Sequence, residues 1–217
     1  MADHLEIEQK FDADSDFERP DFAAVTAGVA AAAPVLHHLS ATYFDTADGR
    51  LQAAKITLRR RTGGTDAGWH LKLPADGLVG DGPAVPAGVS ARREVHEPLE
   101  PADTDGAGTP VVPVRLASRV AEVTGGLPLA PIAILVTERT VVTLTSADGT
   151  VLAEIADDQV TARRLPETAV EPLRWREIEV EVPAAVPQLQ QAVADRLLAA
   201  GARPAGHGSK LARLLSA

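Results

Sequence analysis

Glu6, Glu8 and Lys10 occupy every second position in HLEIEQKF, near the start of the chain. A strand turns alternate side chains to opposite faces, so these three share one face while Leu5, Ile7 and Phe11 line the other, with Gln9 the exception. Crowding carboxylates on one face is costly unless something uses them. The pattern returns in WREIEVEVP, where Glu177, Glu179 and Glu181 alternate with Ile178, Val180 and Val182. Two acidic strands from distant parts of the chain offer hard oxygen ligands, the chemistry of a divalent-cation site.

The basic counterpart lies between them. In KITLRRRTGG, Arg59 and Arg61 share a face with Thr57 while Arg60 points the other way. In GWHLKLP, Lys72 shares a face with His70, and Trp69, Leu71 and Leu73 form the apolar side. Arg forks and Lys charges suit phosphate oxygens, whereas carboxylates reach the same phosphates only through Mg2+ or Mn2+. Charged residues alternating with apolar ones ordinarily make the wet face of an antiparallel sheet. That accounts for any one strand, but a solvated sheet has no need to segregate Glu-rich from Arg/Lys-rich strands.

The ordered set EIEQK, TYFDTADGRL, LRRR, WHLKLP, ARREV, ERTVVTL, EIADDQV, EIEVEV and GSKLARLL resembles the CYTH domain, the family also called triphosphate tunnel metalloenzymes. The resemblance runs from about His4 to Leu215. It implies an α+β fold built on an eight-stranded antiparallel β-tunnel, a closed barrel with a charged interior and flanking helices. It also implies hydrolysis or cyclisation of triphosphate substrates with Mg2+ or Mn2+.

Carried over residue by residue, the resemblance makes Glu6, Glu8, Glu179 and Glu181 metal ligands. Glu177 is either a further ligand or a solvent-facing end residue. Lys10, Arg59, Arg61 and Lys72 match positions that grip the phosphate chain, with Lys10 and Lys72 as the catalytic pair, and Arg139 matches a family arginine. Lys210 matches a late Ser-Lys and adds a phosphate contact; without the resemblance it reads as a surface lysine on a C-terminal helix. Arg92 and Glu94 form an R-x-E pair on one face of ARREVHEPL, with a one-residue slip to Arg93 left open. Asp157 and Asp158 are adjacent, so one of them faces inward. Asp158, which shares parity with Glu154, fits the family spacing as a metal ligand.

Tripolyphosphate is the expected substrate, because no aromatic cluster offers a platform for a base or thiazole ring. Nucleoside or thiamine triphosphates, adenylate cyclisation, and noncatalytic polyphosphate binding are the alternatives. WHLKLP, the GTD turn and SKLARLL resemble CYTH domains that precede a helical CHAD domain, so a CHAD domain is the candidate protein partner. No P-loop or nucleophile elbow occurs; the six histidines form no metal cluster, and His70, on the face of Lys72, is the one of interest.

The 217 residues suit a single domain spanning 1–217 with a sizeable core. A formal charge of −9 argues against nucleic-acid binding through a basic surface, but leaves room for a local basic cavity. The absence of cysteine removes disulfides and thiolate metal sites. No apolar run approaches the ~20 residues of a membrane span and no secretory signal is read at the N-terminus, so a cytoplasmic location is expected.

The elements that must position these residues follow from periodicity. Strand patterns cover 4–11, 37–45, 54–62, 67–74, 89–97, 132–146, 150–156, 159–165 and 174–182, with Asp148-Gly149 as a hairpin turn. Helical patterns cover 22–33, 114–123 and 187–200. The first has Asp21 as N-cap, and the last presents Leu189, Val193, Leu197 and Leu198 to the outside of the sheet. The Gly/Pro/Ala-rich stretches 75–88 and 98–113 read as loops. The first reads as an excursion over the tunnel mouth or, with more weight, an ordinary disordered insertion.

Overall fold

Period-two alternation dominates the chain, and the computed structural model accordingly is built on strands; it describes residues 2–75, 89–105, 108–166, 170–182 and 186–217. The strands are β1 (Ala2–Ala13), β2 (Val29–Ala31), β3 (Val35–Asp45), β4 (Thr57–Thr62), β5 (Gly68–Pro74), β6 (Val89–Glu97), β7 (Ala130–Ser146), β8 (Val151–Arg164), β9 (Leu173–Val182) and β10 (Arg203–Pro204). The helices are α1 (Arg50–Ala53), α2 (Val114–Arg119), α3 (Ala121–Thr124), α4 (Pro187–Ala199) and α5 (Lys210–Ser216). Strands β1-β6-β5-β4-β3-β7-β8-β9 run in order and β9 returns to β1, closing an eight-stranded antiparallel barrel. The short β2 and β10 are appended to β7 and β1.

Closure gives each strand an inner and an outer face. The outer apolar residues form two cores. One joins Phe11, Leu144, Ile155, Ile178, Val180 and Val182 to Leu189, Val193 and Leu197 of α4. The other packs Phe44, Leu58, Trp69, Leu71 and Val95 against Leu51 of α1 and Leu116 and Val120 around α2. A third cluster lies within the barrel, where Ala41, Tyr43, Ala133, Leu135, Val160 and Ala162 meet Leu211 and Leu214 of α5. The C-terminal helix thus plugs one end of the tunnel with apolar side chains.

Several sequence expectations are corrected. Residues 22–33 form turns and β2 rather than a helix. Gly28 and Ala24 adopt positive φ (78° and 51°), and the Arg196 guanidinium takes the carbonyls of Asp21, Ala23 and Ala24, which a helix would have used internally. Asp21 does cap, but only a turn, accepting from Ala23 N at 2.8 Å. The helix at 114–123 breaks at Val120 into α2 and α3. In α4, Leu198 is 42 % exposed and Ala194 is buried in its place.

The strands expected at 150–156 and 159–165 are one strand, β8. Asp157-Asp158 does not interrupt it because each acid finds an arginine on its own face: Arg176 outside for Asp157, Arg139 inside for Asp158. Residues 101–103 of the second loop form a 3-10 turn pinned by Asp103, which accepts from Trp69 Nε1 at 2.9 Å. The first loop lies almost wholly outside the described residues.

The strand expected from 54 begins at Thr57, and helix α1, which the periodicity does not show, precedes it and is organised by Asp45. That buried carboxylate accepts from the backbone N–H of Thr46 (2.7 Å), Leu51 (2.8 Å) and Gln52 (3.0 Å), satisfying donors a helix start otherwise leaves open. Asp45→Ala is expected to cost about 1–3 kcal/mol by urea denaturation. A loss below about 0.5 kcal/mol would show that the cap is dispensable.

Candidate functional site

Register across the closed barrel decides which charges meet. Pairing of β1 with β9 sets Glu8 opposite Glu181 and Lys10 opposite Glu179. Pairing of β1 with β6 sets Glu6 opposite Arg92, and β5 with β6 sets Lys72 opposite Glu94. Arg59 lies between Tyr43 and His70 on its neighbours, and Asp158 between Arg139 and Glu177. All these residues point inward. The Arg92/Arg93 alternative is thereby resolved in favour of Arg92, and Asp157/Asp158 in favour of Asp158.

The interior cavity is lined by seven cations: Lys10, Arg59, Arg61, Lys72, Arg92, Arg139 and Lys210. Five carboxylates (Glu6, Glu8, Asp66, Glu94 and Glu179) line it with them. Asp158, Glu177 and Glu181 stand beside this set, so acids and bases come close to balance. A cavity so balanced carries little net charge of its own to set against a polyanion.

Charges interlock along the wall. Lys10 Nζ donates to Glu8 (2.9 Å) and Glu179 (2.5 Å). Lys210 Nζ lies 2.8 Å from Asp158, 2.7 Å from Glu177 and 2.8 Å from Glu179. Arg139 grips Asp158 with both arms of its fork (2.7 and 2.6 Å) and also reaches Glu179 at 2.6 Å. Lys72 Nζ touches Glu6 at 2.5 Å and approaches Glu94 at 3.7 Å. Lys210 is therefore a buried cation inside an acid cluster, not a surface lysine. Glu177 is 5 % exposed and faces that lysine, so the solvent-facing alternative is excluded.

Burial opposes charge throughout, yet partners win at most positions. Against burial, Lys10 holds Glu8 below the usual carboxylate range, while Lys10, Lys210 and Arg139 hold Glu179 well below it. Lys210 is likewise held charged, against burial, by Asp158, Glu177 and Glu179. Two groups go the other way. Burial, with Arg59 and Arg139 nearby, brings Arg61 down to about 9. Burial, with the charges of Glu6, Glu179 and Glu94 outweighing Lys72, pushes the Glu181 carboxyl up to about 7.

That last shift carries a sign. The folded Glu181 binds its proton more tightly than the ordinary carboxyl near 4.5, so its contribution to stability is lost as pH rises through about 7. In chelator, Glu181→Gln is expected to gain about 1–3 kcal/mol relative to wild type between pH 4.5 and pH 8, read from denaturant midpoints. A pH-independent difference would remove the like-charge account.

The residues fit a hard divalent cation. Oxygens of Asp158, Glu177 and Glu179 lie within 4.8 Å of one another, and the like-charged neighbours that raise Glu181 are what a cation would neutralise. They also fit an anion. Arg59 donates to Tyr43 Oη at 3.2 Å, and the buried Nε atoms of Arg59 and Arg61 find no acceptor among the described residues.

Three contributors were not assigned from sequence. Tyr43 sits in the quoted TYFDTADGRL, yet nothing there tells that its hydroxyl faces Arg59. Ser90 Oγ donates to Glu8 at 3.1 Å. Asp66, in the GTD turn after LRRR, pairs with Arg61. His70 lies buried in the wall, its Nδ1 2.6 Å from Glu94 and its Nε2 3.0 Å from the Asp66 carbonyl.

The family profile described as CYTH domain matches residues 4–213. The chain is a CYTH domain. This CYTH domain is 39 % identical, over its full length, to uncharacterised proteins from two strains of Mycobacterium tuberculosis, CDC 1551 / Oshkosh and H37Rv. It spans 41 % of the length of each of those relatives. Among solved structures, it superposes on a candidate adenylate cyclase from Bacillus halodurans with TM-score 0.61 at 17 % identity, covering 98 % of both chains. A candidate adenylyl cyclase from Hippeastrum, for which a dominant triphosphatase activity is described, gives TM-score 0.57 at 20 % identity, covering 97 % of this chain and 95 % of that one. At such identities the likeness establishes the tunnel fold alone. Among the described residues no helix is long and apolar enough to cross a membrane.

Proposed function

We propose that this CYTH domain hydrolyses a phosphoanhydride bond of a triphosphate, with inorganic tripolyphosphate as first substrate and Mg2+ or Mn2+ as cofactor. The supporting observation is the convergence of Arg59, Arg61, Arg139, Lys10 and Lys72 with Glu6, Glu8 and Glu179 on one cavity inside a closed barrel. The triphosphatase activity of the Hippeastrum relative agrees with this reading. Tyr43 is the single aromatic ring lining the described cavity, which favours a ligand that is phosphate throughout.

In this proposal Arg59, Arg61, Arg139 and Arg92 bind nonbridging oxygens, and Lys72 and Lys10 hold the phosphate undergoing attack. Their charges are fixed before reaction, so they act most strongly on charge that develops in the transition state. Glu6, Glu8, Glu181, Glu179, Glu177 and Asp158 would hold the metal through their oxygens, and Lys210 would add a phosphate contact from beside that acid cluster. Glu94, held by His70, orients Lys72. When bound, the metal would withdraw charge from the phosphate chain and acidify a water.

A nucleoside triphosphate is the second reading. A vestibule wider than the inner cavity, lined by Val35, His37, Leu39, Val141 and Thr143, also contains Arg61 and Arg139, and would accept an organic group on the terminal phosphate. Phosphate release from tripolyphosphate, ATP, thiamine triphosphate and long-chain polyphosphate, with and without metal, tests these readings. Metal-dependent release, fastest from tripolyphosphate, is expected. Binding without release would support a noncatalytic polyphosphate module instead. The relatives' additional length is consistent with a partner domain such as CHAD, and we propose polyphosphate as what the two would share.

A further inference from the structure

We propose that Asp66 is an intramolecular competitor for Arg61: its carboxylate occupies the place of a substrate phosphate and must be displaced when the ligand binds. This rests on the phosphate-binding role of the tunnel proposed above. Arg61 is 4 % exposed, and Asp66 is the carboxylate that pairs with it among the described residues. Burial beside Arg59 and Arg139 disfavours a charged Arg61 left without an anion, and Asp66 supplies one.

Asp66 differs from the other carboxylates of the lining in where it is mounted. Glu6, Glu8, Glu94 and Glu179 stand on barrel strands with side chains 4, 3, 9 and 14 % exposed. Asp66 sits on the β4–β5 turn, its side chain 56 % exposed. Leaving Arg61 therefore returns its carboxylate to water at little desolvation cost, whereas the strand carboxylates have no such exit.

The turn itself is held independently of that carboxylate. The Asp66 carbonyl meets buried His70 Nε2 at 3.0 Å. Gly63, at φ 80°, lies so close to the His38 carbonyl that a Cβ there would be 2.0 Å from its oxygen. The backbone can stay while the side chain swings. Asp66 also lines both the inner cavity and the vestibule, so it stands where the two meet. A pair of nonbridging phosphate oxygens offers the Arg61 guanidinium two acceptors, as a carboxylate does, with more charge.

The test is a double-mutant cycle on ligand affinity rather than turnover. Calorimetry would measure binding of diimidotriphosphate, whose P–N–P bridges resist hydrolysis, with Mg2+, to wild type, Asp66→Asn, Arg61→Gln and the double variant. Asp66→Asn should tighten binding about three- to tenfold in the wild-type background and leave it unchanged when Arg61 is absent. Asp66→Ser, which also removes the charge, should reproduce the gain. Equal or weaker binding by both Asp66 variants would overturn the proposal, since Asp66 would then be positioning Arg61. Tightening that persists without Arg61 would also overturn it, as a general effect of removing charge. If wild type itself fails to bind, the phosphate-tunnel reading falls and takes this inference with it.

Discussion

Lys72→Ala is expected to lower kcat/KM for tripolyphosphate by roughly 10²–10³ while the protein still unfolds cooperatively. The ammonium sits between Glu6 at 2.5 Å and Glu94 at 3.7 Å, on the strand beside Arg59. Glu94 keeps its bond to His70 when Lys72 is removed, so the wall retains its shape. What is lost is a fixed positive charge aimed into the cavity, and fixed charge is what phosphoryl transfer draws on. Arg60→Ala supplies the control. It lies on the outward face of the same strand as Arg59 and Arg61 and should leave activity within about twofold. Equal turnover of Lys72→Ala and wild type with both Mg2+ and Mn2+ would defeat the assignment.

Lys210→Met should produce the largest loss of stability, about 3–5 kcal/mol in chelator. The lysine is in contact with Asp158, Glu177 and Glu179; its removal leaves Asp158 and Glu179 to Arg139 and Lys10, and leaves Glu177 the Trp175 indole but no cation in contact among the described residues. Oxygens of the three carboxylates lie within 4.8 Å of one another, close enough for one divalent cation to replace the missing charge. Mn2+ should therefore raise the melting temperature of Lys210→Met more than that of wild type. A variant as stable as wild type in chelator, or one that Mn2+ does not restore, would show that the cluster is not held by that lysine.

The inward rows were legible because strand period is two and admits no intermediate phase: once Glu6 faces in, Glu8 and Lys10 must follow. The same rule settled Asp158 over Asp157 when register was supplied by Arg139 on β7. That β1 closes on β9 was less accessible. Spacing permitted the meeting of Glu8 and Glu181, but a pairing between residues so far apart in sequence leaves no local trace, and the resemblance had to supply it. The helix expected at 22–33 failed for a related reason. Its alanines favour a helix locally, while Gly28 and the Arg196 guanidinium, which arrives from α4, decide otherwise. The position of α5 was likewise hidden, since Leu211 and Leu214 make the same apolar face whether they cover a barrel or plug it. Asp66 was visible as a turn residue, but its partner Arg61 follows only from the way the hairpin folds over the cavity.

The most direct test is a crystal of the protein grown with Mn2+ and diimidotriphosphate, with the metal located by its anomalous scattering. Manganese bound to Glu6, Glu8 or the Asp158–Glu179 group, with phosphates on Arg59, Arg61 and Lys72, is the predicted result. Manganese and ligand both outside the barrel, with the ion pairs of Lys72 and Arg139 undisturbed, would contradict it.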